Sequence, residues 1–276
     1  MLKKIKLTSL ALMAAGLLCA SVFAAPSKPT TLKADVIVYD SATGISTAEG
    51  NVVIIQEDGE AHGERGEYNL NTKVGWLEGN VTGTKGDASL AAHKVWVKDQ
   101  NHITAEGSAR VTKAGDSVYA PRIDYWSDRE YAKTSGGWAK LEQADGSSMT
   151  ADYMEYDMKK GEGFAEKNVK LDSPARNMTG AGDHATYTAD RPDKQGEFVL
   201  TGNAWVIQDG NKIIGNRLVV KSDQSTSEAN GNVRLDIQPK DTEPEQVTEE
   251  PEVVEEEEES VLWKSRRTSN KQSTDE

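Results

Sequence analysis

Beyond its leader the sequence has no cysteine: the single one, Cys19, sits among the first 24 of 276 residues. Disulfides and thiol chemistry are thus excluded from the rest of the chain, whatever the redox state of its compartment. Stability has to come from packing and backbone ladders. Basic patches are lacking as well. The net charge is −13, with 45 acidic against 32 basic residues, and no cluster of Lys and Arg marks a nucleic-acid partner. Catalytic signatures are missing: there is no Ser-x-x-Lys, Gly-x-Ser-x-Gly, Walker or His-Glu-x-x-His pattern and no calcium-loop spacing. The histidines, His62, His93, His102 and His184, are scattered and read as ordinary surface residues, and no carboxylate pair stands apart from the general acidity. The expectation is a non-enzyme with no metal and no cofactor. Helical periodicity is absent from residues 30 to 238.

What is present begins with an export signal. Lys3, Lys4 and Lys6 precede an apolar run from Leu7 to Ala20, and Val22-Phe23-Ala24 supplies a small-x-small cleavage site. Residues 1–24 therefore read as a signal peptide, and the mature chain is expected outside the cytoplasm. Leu18 stands where a lipobox needs a small residue, which argues against lipidation of Cys19. The apolar run is also shorter than the ~20 residues of a spanning helix. At the other end, residues 239–276 centre on "EEPEVVEEEEES"; from Asp241 onward 13 acidic residues face 4 basic ones, a net charge of −9. Such a segment cannot bury enough apolar surface to offset its ordering entropy, so a disordered tail is expected.

Between these ends, residues 25–238 repeat. Aligned on a glycine, seven copies appear: "AEGNVVI" at Ala48, "LEGNVTG" at Leu77, "AEGSARV" at Ala105, "SGGWAKL" at Ser135, "AEKNVKL" at Ala165, "LTGNAWV" at Leu200 and "ANGNVRL" at Ala229. The anchors Gly50, Gly79, Gly107, Gly137, Lys167, Gly202 and Gly231 are spaced by 29, 28, 30, 30, 35 and 29 residues, which marks a repeat architecture. Each copy follows a partner stretch that begins with Ala or Gly, such as "ADVIVYD" at Ala34 or "ADYMEYD" at Ala151, and turn-rich text separates the two. Each repeat thus reads as two short strands and two turns, about fourteen strands in all. The Asn that follows most anchors (Asn51, Asn80, Asn168, Asn203, Asn232) reads as a repeated turn or bulge element.

Alternation assigns the faces. In the hinge strands the columns Val52, Val81, Ala109, Ala139, Val169, Ala204, Val233 and Ile54, Gly83, Val111, Leu141, Leu171, Val206, Leu235 are apolar, while the column between them, including Arg110, Lys140 and Lys170, is mostly long and polar. The partner strands give Ile37, Gly66, Val95, Ile123, Met154, Ala185, Leu218 and Tyr39, Tyr68, Val97, Tyr125, Tyr156, Tyr187, Val220. This period of two is that of half-buried sheet. Both strand sets are expected to turn one apolar face to a common interior.

The stretch "FVLTGNAWVIQDGNKIIGNRLVV" (Phe198 to Val220), together with the Glu-Gly-Asn-Val copies and the "ADVIVYD"-type strands, resembles the periplasmic lipopolysaccharide-transport proteins of the LptA/OstA type over residues 30 to 238. That resemblance implies an all-β fold, a repeat-built twisted β-jellyroll open at both ends, whose apolar inside shelters the acyl chains of lipopolysaccharide in the periplasm. It implies as partners lipopolysaccharide, further copies stacked end to end, an inner-membrane extraction complex and an outer-membrane translocon. Seven repeats exceed the simplest members, Lys167 replaces one hinge glycine, and the acidic tail lies outside the pattern.

The residues lead to a compatible function. Each methylene moved from water into an apolar sleeve gains ~0.8 kcal/mol, so a continuous greasy interior removes the barrier to carrying an acyl chain. The bulky members of the four columns, from Ile37 to Val220, are the expected lipid contacts, in a hollow wide enough for hydrocarbon. With one strand added to each of two facing sheets per repeat, seven repeats give a body about 34 Å long. Edge strands around Ala34, Val36, Val233 and Leu235 are then expected to be unpaired and to join copies head to tail. Two alternatives stay open: a scaffold or adhesin built as a parallel β-helix with a filled core, and a relative that keeps its leader as an inner-membrane anchor.

Overall fold

The computed structural model describes residues 30–56, 59–192, 195–221 and 227–238, which form one antiparallel sheet of eighteen strands. The leader with Cys19 and the acidic segment from 239 onward lie outside the described residues. In chain order the strands are β1 (Thr30–Lys33), β2 (Val36–Asp40), β3 (Ile45–Gln56), β4 (Gly59–Asn69), β5 (Val74–Lys85), β6 (Ala88–Val97), β7 (His102–Lys113), β8 (Asp116–Trp126) and β9 (Tyr131–Ser135). They continue with β10 (Ala139–Glu142), β11 (Ser148–Ala151), β12 (Tyr153–Asp157), β13 (Glu162–Ser173), β14 (Met178–Thr188), β15 (Glu197–Gln208), β16 (Asn211–Lys221), β17 (Ser227–Asn230) and β18 (Arg234–Asp236). The one helical element among the described residues is a 3-10 turn, Pro174–Arg176.

The pairing reduces to a simpler plan. The long strands pair with their chain neighbours along their whole length, and β1 with β2, β9 with β10, β11 with β12 and β17 with β18 are each one strand interrupted midway. Eighteen strands with four such interruptions make fourteen rungs of an antiparallel meander, two per repeat, as the repeat predicts. The parallel β-helix alternative is excluded, since every pairing is antiparallel.

The extent of each rung differs from the expectation. Sequence patterning places each strand on one side of the hinge, whereas every rung crosses it. In β5 and β6, Leu77 pairs with Val95 before the hinge and Val81 with Ala92 after it. The unforeseen halves, residues 45–49 and 59–63 among them, are small and polar and so read as turns. Because each repeat adds two rungs to the stack, the fourteen rungs extend about 60 Å, not about 34 Å.

At the crossing the strand bulges. Glu49 pairs with Arg65 and Val52 with Gly63, so Gly50 and Asn51 together oppose Glu64. Gly50 (φ 77°) and Asn51 (φ 47°) are both left-handed, as are the corresponding pairs in five other copies. Two such residues in succession bend the strand and crease the meander into two layers. The first layer holds the halves that end in turns such as 70–73, and the second those that end in turns such as 114–115. The fourth copy is irregular. Arg122 pairs with Ser135 but Lys140 with Tyr119, so Gly136, Gly137 and Trp138 fill one hinge. Alignment on Gly137 is therefore right downstream and off by one upstream, where Thr134 takes the inward place at 1% exposure.

Candidate functional site

The two layers close on one apolar cluster drawn from both. Packing at the crease explains why partner stretches begin with Ala or Gly. In three copies the following hinge strand carries Ala48, Ala105 or Ala165 and the partner residue is Ala34, Ala92 or Ala151; in two it carries Leu77 or Leu200 and the partner is Gly63 or Gly182. The last copy departs, with Gly215 before Ala229 and its Cβ position 3.2 Å from Leu218 Cδ2. A Cβ on Gly63 would lie 2.7 Å from Leu77 Cγ, and one on Gly182 3.4 Å from Leu200 Cδ2. Large and small alternate, so the local volume is kept. Leu200, a first-layer residue, also reaches within 3.5 Å of a Cβ placed on Gly180 of the second layer, which shows the layers in contact.

The anticipated columns fall into three groups. Val52, Val81, Val95, Val97, Val111, Ile123, Tyr125, Leu141, Met154, Tyr156, Val169, Tyr187, Val206 and Leu218 are buried in the cluster, and Ile54 and Leu171 pack on its margin. Tyr68 and Val220 are half-buried. At the first end Ile37 and Tyr39 stand 45% and 56% exposed, so this end of the interior is open to solvent. At the last end a cavity of about 230 Å³ opens between Met178, Val206 and Ile213 of the second layer and Leu218 and Val220 of the first. Between the ends the interior is packed: the large side chains of both layers form one cluster, and apart from half-buried Leu171 the columns are 0–8% exposed from Val81 to Val206. The hollow expected along the whole length is thus present at the last end and closed in the middle, where a bound chain would have to part the layers.

Sequence reasoning missed the second-layer halves of the partner strands, which contribute Ala61, Leu90, Val118 and Met149 to the core. The rims of the interior differ in chemistry. The second-layer rim is polar, with Asp116, Gln143, Ser147 and Ser173 all buried. Ser147 and Ser173 bond through their hydroxyls at 2.8 Å, and Asp116 accepts the Ala144 N–H at 2.6 Å. The first-layer rim carries tyrosines.

The outer surface explains the asparagine column. Asn51 donates to Asp35 (2.9 Å), Asn80 to Glu64 (2.9 Å), Asn168 to Asp152 (3.0 Å) and Asn203 to Asp183 (2.9 Å), each latching a bulge to the previous rung. A row beside the crease alternates in charge, Glu49, Arg65, Glu78, Lys94, Glu106, Arg122, in direct cross-strand register. Lys94 and Arg65 both donate to Glu78 and hold its carboxyl down to about 2. Asp124 is buried, which pushes its carboxyl up, but donors from Arg122, Thr104 and His102 outweigh burial and hold it at about 2. His102, with its side chain 18% exposed, bonds Asp124 at 2.9 Å and stacks on Trp126 at 4.3 Å, so it is not an ordinary surface histidine. His184 also departs from that reading, its Nδ1 buried with no hydrogen-bond partner among the described residues, whereas His62 and His93 are exposed. Among the described residues no group of three His, Cys, Asp or Glu side chains is placed to hold a metal.

Comparison with known proteins bears on the same stretch. Residues 60–162 match the family model described as LptA/(LptD N-terminal domain) LPS transport protein. Over that span the resemblance read from the repeat is shown. Curated proteins give no match. Among solved structures, the crystal structure of LptH, the LptA-homologous periplasmic component of the conserved lipopolysaccharide transport device from Pseudomonas aeruginosa, aligns with 78% of this chain and 99% of its own. The identity is 13% and the TM-score 0.15. The fold described above rests on the strand pairing, not on that overlay. No helix among the described residues is long and apolar enough to cross a membrane.

Proposed function

We propose that this chain, which carries an LptA/(LptD N-terminal domain)-type LPS transport segment over residues 60–162, is a periplasmic carrier that shelters the acyl chains of lipopolysaccharide between its two layers. It acts by binding and not by catalysis, after export and removal of residues 1–24. The body spans residues 25–238, and the segment 239–276 stays outside the lipid path. The observation that carries the reading is the inward apolar surface that runs through the rungs, interrupted by few polar side chains such as Thr134, exposed at the first end and open as a cavity at the last.

End-to-end assembly fits the same geometry. Among the described residues β1 and β2 pair only with β3, and β17 and β18 only with β16, so each end offers a strand edge rather than a wholly unpaired strand. Val36 (55% exposed) and Val38 (59%) at one end, and Val233 (52%) and Leu235 (54%) at the other, supply apolar surface for that contact; Ala34 lies between β1 and β2. Inner-membrane extraction and outer-membrane insertion complexes are the partners such a rod would join.

Photo-crosslinking in living cells tests the carrier reading. A photoreactive residue at Leu141, Tyr156 or Val206, all inward, should label with lipopolysaccharide, while one at outward-facing Lys140 should not. Equal labelling at all four positions contradicts an interior path.

A further inference from the structure

The tyrosines of the first-layer rim bury their rings and leave hydroxyls at the edge of the interior. Tyr125, Tyr156 and Tyr187 are 4–5% exposed as whole residues, and their hydroxyls, bonded to no described residue, keep what surface remains and so reach solvent at the rim. Tyr68, further along the same row, has a fully buried hydroxyl with no partner among the described residues. The row is continuous in register: Tyr125 pairs with Ala132, Ala132 with Tyr156, Tyr156 with Gly163 and Gly163 with Tyr187. Each ring therefore lies beside a small residue, and a Cβ on Gly163 would sit 3.1 Å from Tyr156 Cδ2. The rings of Tyr156 and Tyr187 are 6.5 Å apart, with a small apolar gap between them lined by Leu141, Met149 and Phe198.

A ring that only fills space needs no hydroxyl, so this row sets donors without a protein partner where the apolar interior meets solvent. Phenylalanine would fill the same sites. Five of the chain's 8 tyrosines nevertheless occupy this one inward row, Tyr39 being the exposed fifth, against one of its 3 phenylalanines, Phe198, which stands opposite Tyr187. Tyr is the residue for a boundary with one apolar and one polar side. Burial raises all three phenols, that of Tyr156 to about 12, so they stay protonated and able to donate at any physiological pH.

We infer that Tyr125, Tyr156 and Tyr187 form a hydrogen-bonding track that holds the carbonyl oxygens of acyl ester or amide linkages while the hydrocarbon lies against the apolar columns. The phenol O–H donates and the acyl carbonyl accepts. Repetition along the row lets a moving amphiphile exchange one donor for the next, so its linkage region stays satisfied while its chain slides. This deepens the carrier reading and rests on it. It assigns the polar boundary of the ligand to the first-layer rim.

The test compares methyl dodecanoate with tridecane, ligands alike in length that differ in the ester, as competitors of a fluorescent acyl probe on the full chain. The wild type should bind the ester more tightly. Replacing all three tyrosines by phenylalanine should remove that preference, by about threefold to tenfold for each donor engaged, with tridecane binding unchanged and thermal stability equal or higher. Tyr156→Phe alone serves if the triple variant does not fold. If the variants keep the ester preference, or lose both ligands equally, the track is wrong and the apolar interior stands. If the wild type binds neither ligand, the carrier reading fails and the track with it.

Discussion

Single residues decide whether the crease closes. Gly63 and Leu77 share one volume, so Gly63→Ala should destabilise the chain by about 1–3 kcal/mol through overpacking. Adding Leu77→Ala should recover part of that loss, and a double-mutant cycle by denaturant unfolding reads the coupling. Lys167 is the one anchor that is not glycine, and it sits at φ 63°. A side chain in that conformation costs roughly 1–2 kcal/mol, so Lys167→Gly should raise the midpoint of thermal unfolding. Asp124 makes a prediction in pH. Its carboxyl is held at about 2 in the folded chain, below its ordinary value of 3.8. The stability it lends, about 2 kcal/mol, is complete above pH ~4 and is lost as the pH falls towards 2. Asp124→Asn should therefore unfold more easily at neutral pH and show a shallower loss of stability across that acid window.

Secondary-structure elements show how far the sequence carried the fold. The period of two exposed the second-layer halves of the hinge strands and the first-layer halves of the partner strands, because both carry bulky residues such as Val111 and Tyr156. The complementary halves were illegible, since Ser46, Ala61 and Gly63 give an apolar alternation too weak to separate from turn text. The bulge signal was visible, but its partner was overlooked. Asn51, Asn80, Asn168, Asn203 and Asn232 each come with Asp35, Glu64, Asp152, Asp183 or Asn216 just after the Ala or Gly of the partner stretch. Ser108 faces His93 instead, and the glycine pair faces Pro121. That covariation within one chain marks strand-to-strand contact. The end elements carry the assembly prediction. Proline at Val233 and Leu235 should remove concentration-dependent oligomers in light scattering while leaving the remaining rungs folded; oligomers of unchanged size would place the contact elsewhere.

At the scale of the molecule, a sheet creased along its length has an apolar seam that both layers share and neither can leave exposed. Packing keeps it shut in the middle, while the ends stay accessible. On the proposed carrier reading, an acyl chain entering the seam would replace contacts between layers with contacts to the chain, which requires the layers to separate by about 4 Å, one hydrocarbon diameter at van der Waals contact. Cys19, in the leader, is the only cysteine, so introduced cysteines in residues 25–238 can carry paired spin labels without competition. With labels at Lys133 on the outer face of the first layer and Lys140 on that of the second, pulsed electron-spin distances report the gap directly. The account predicts that the distance lengthens by about 4 Å as an acyl amphiphile saturates the protein. Saturable binding with an unchanged distance would place the ligand outside the seam and contradict it.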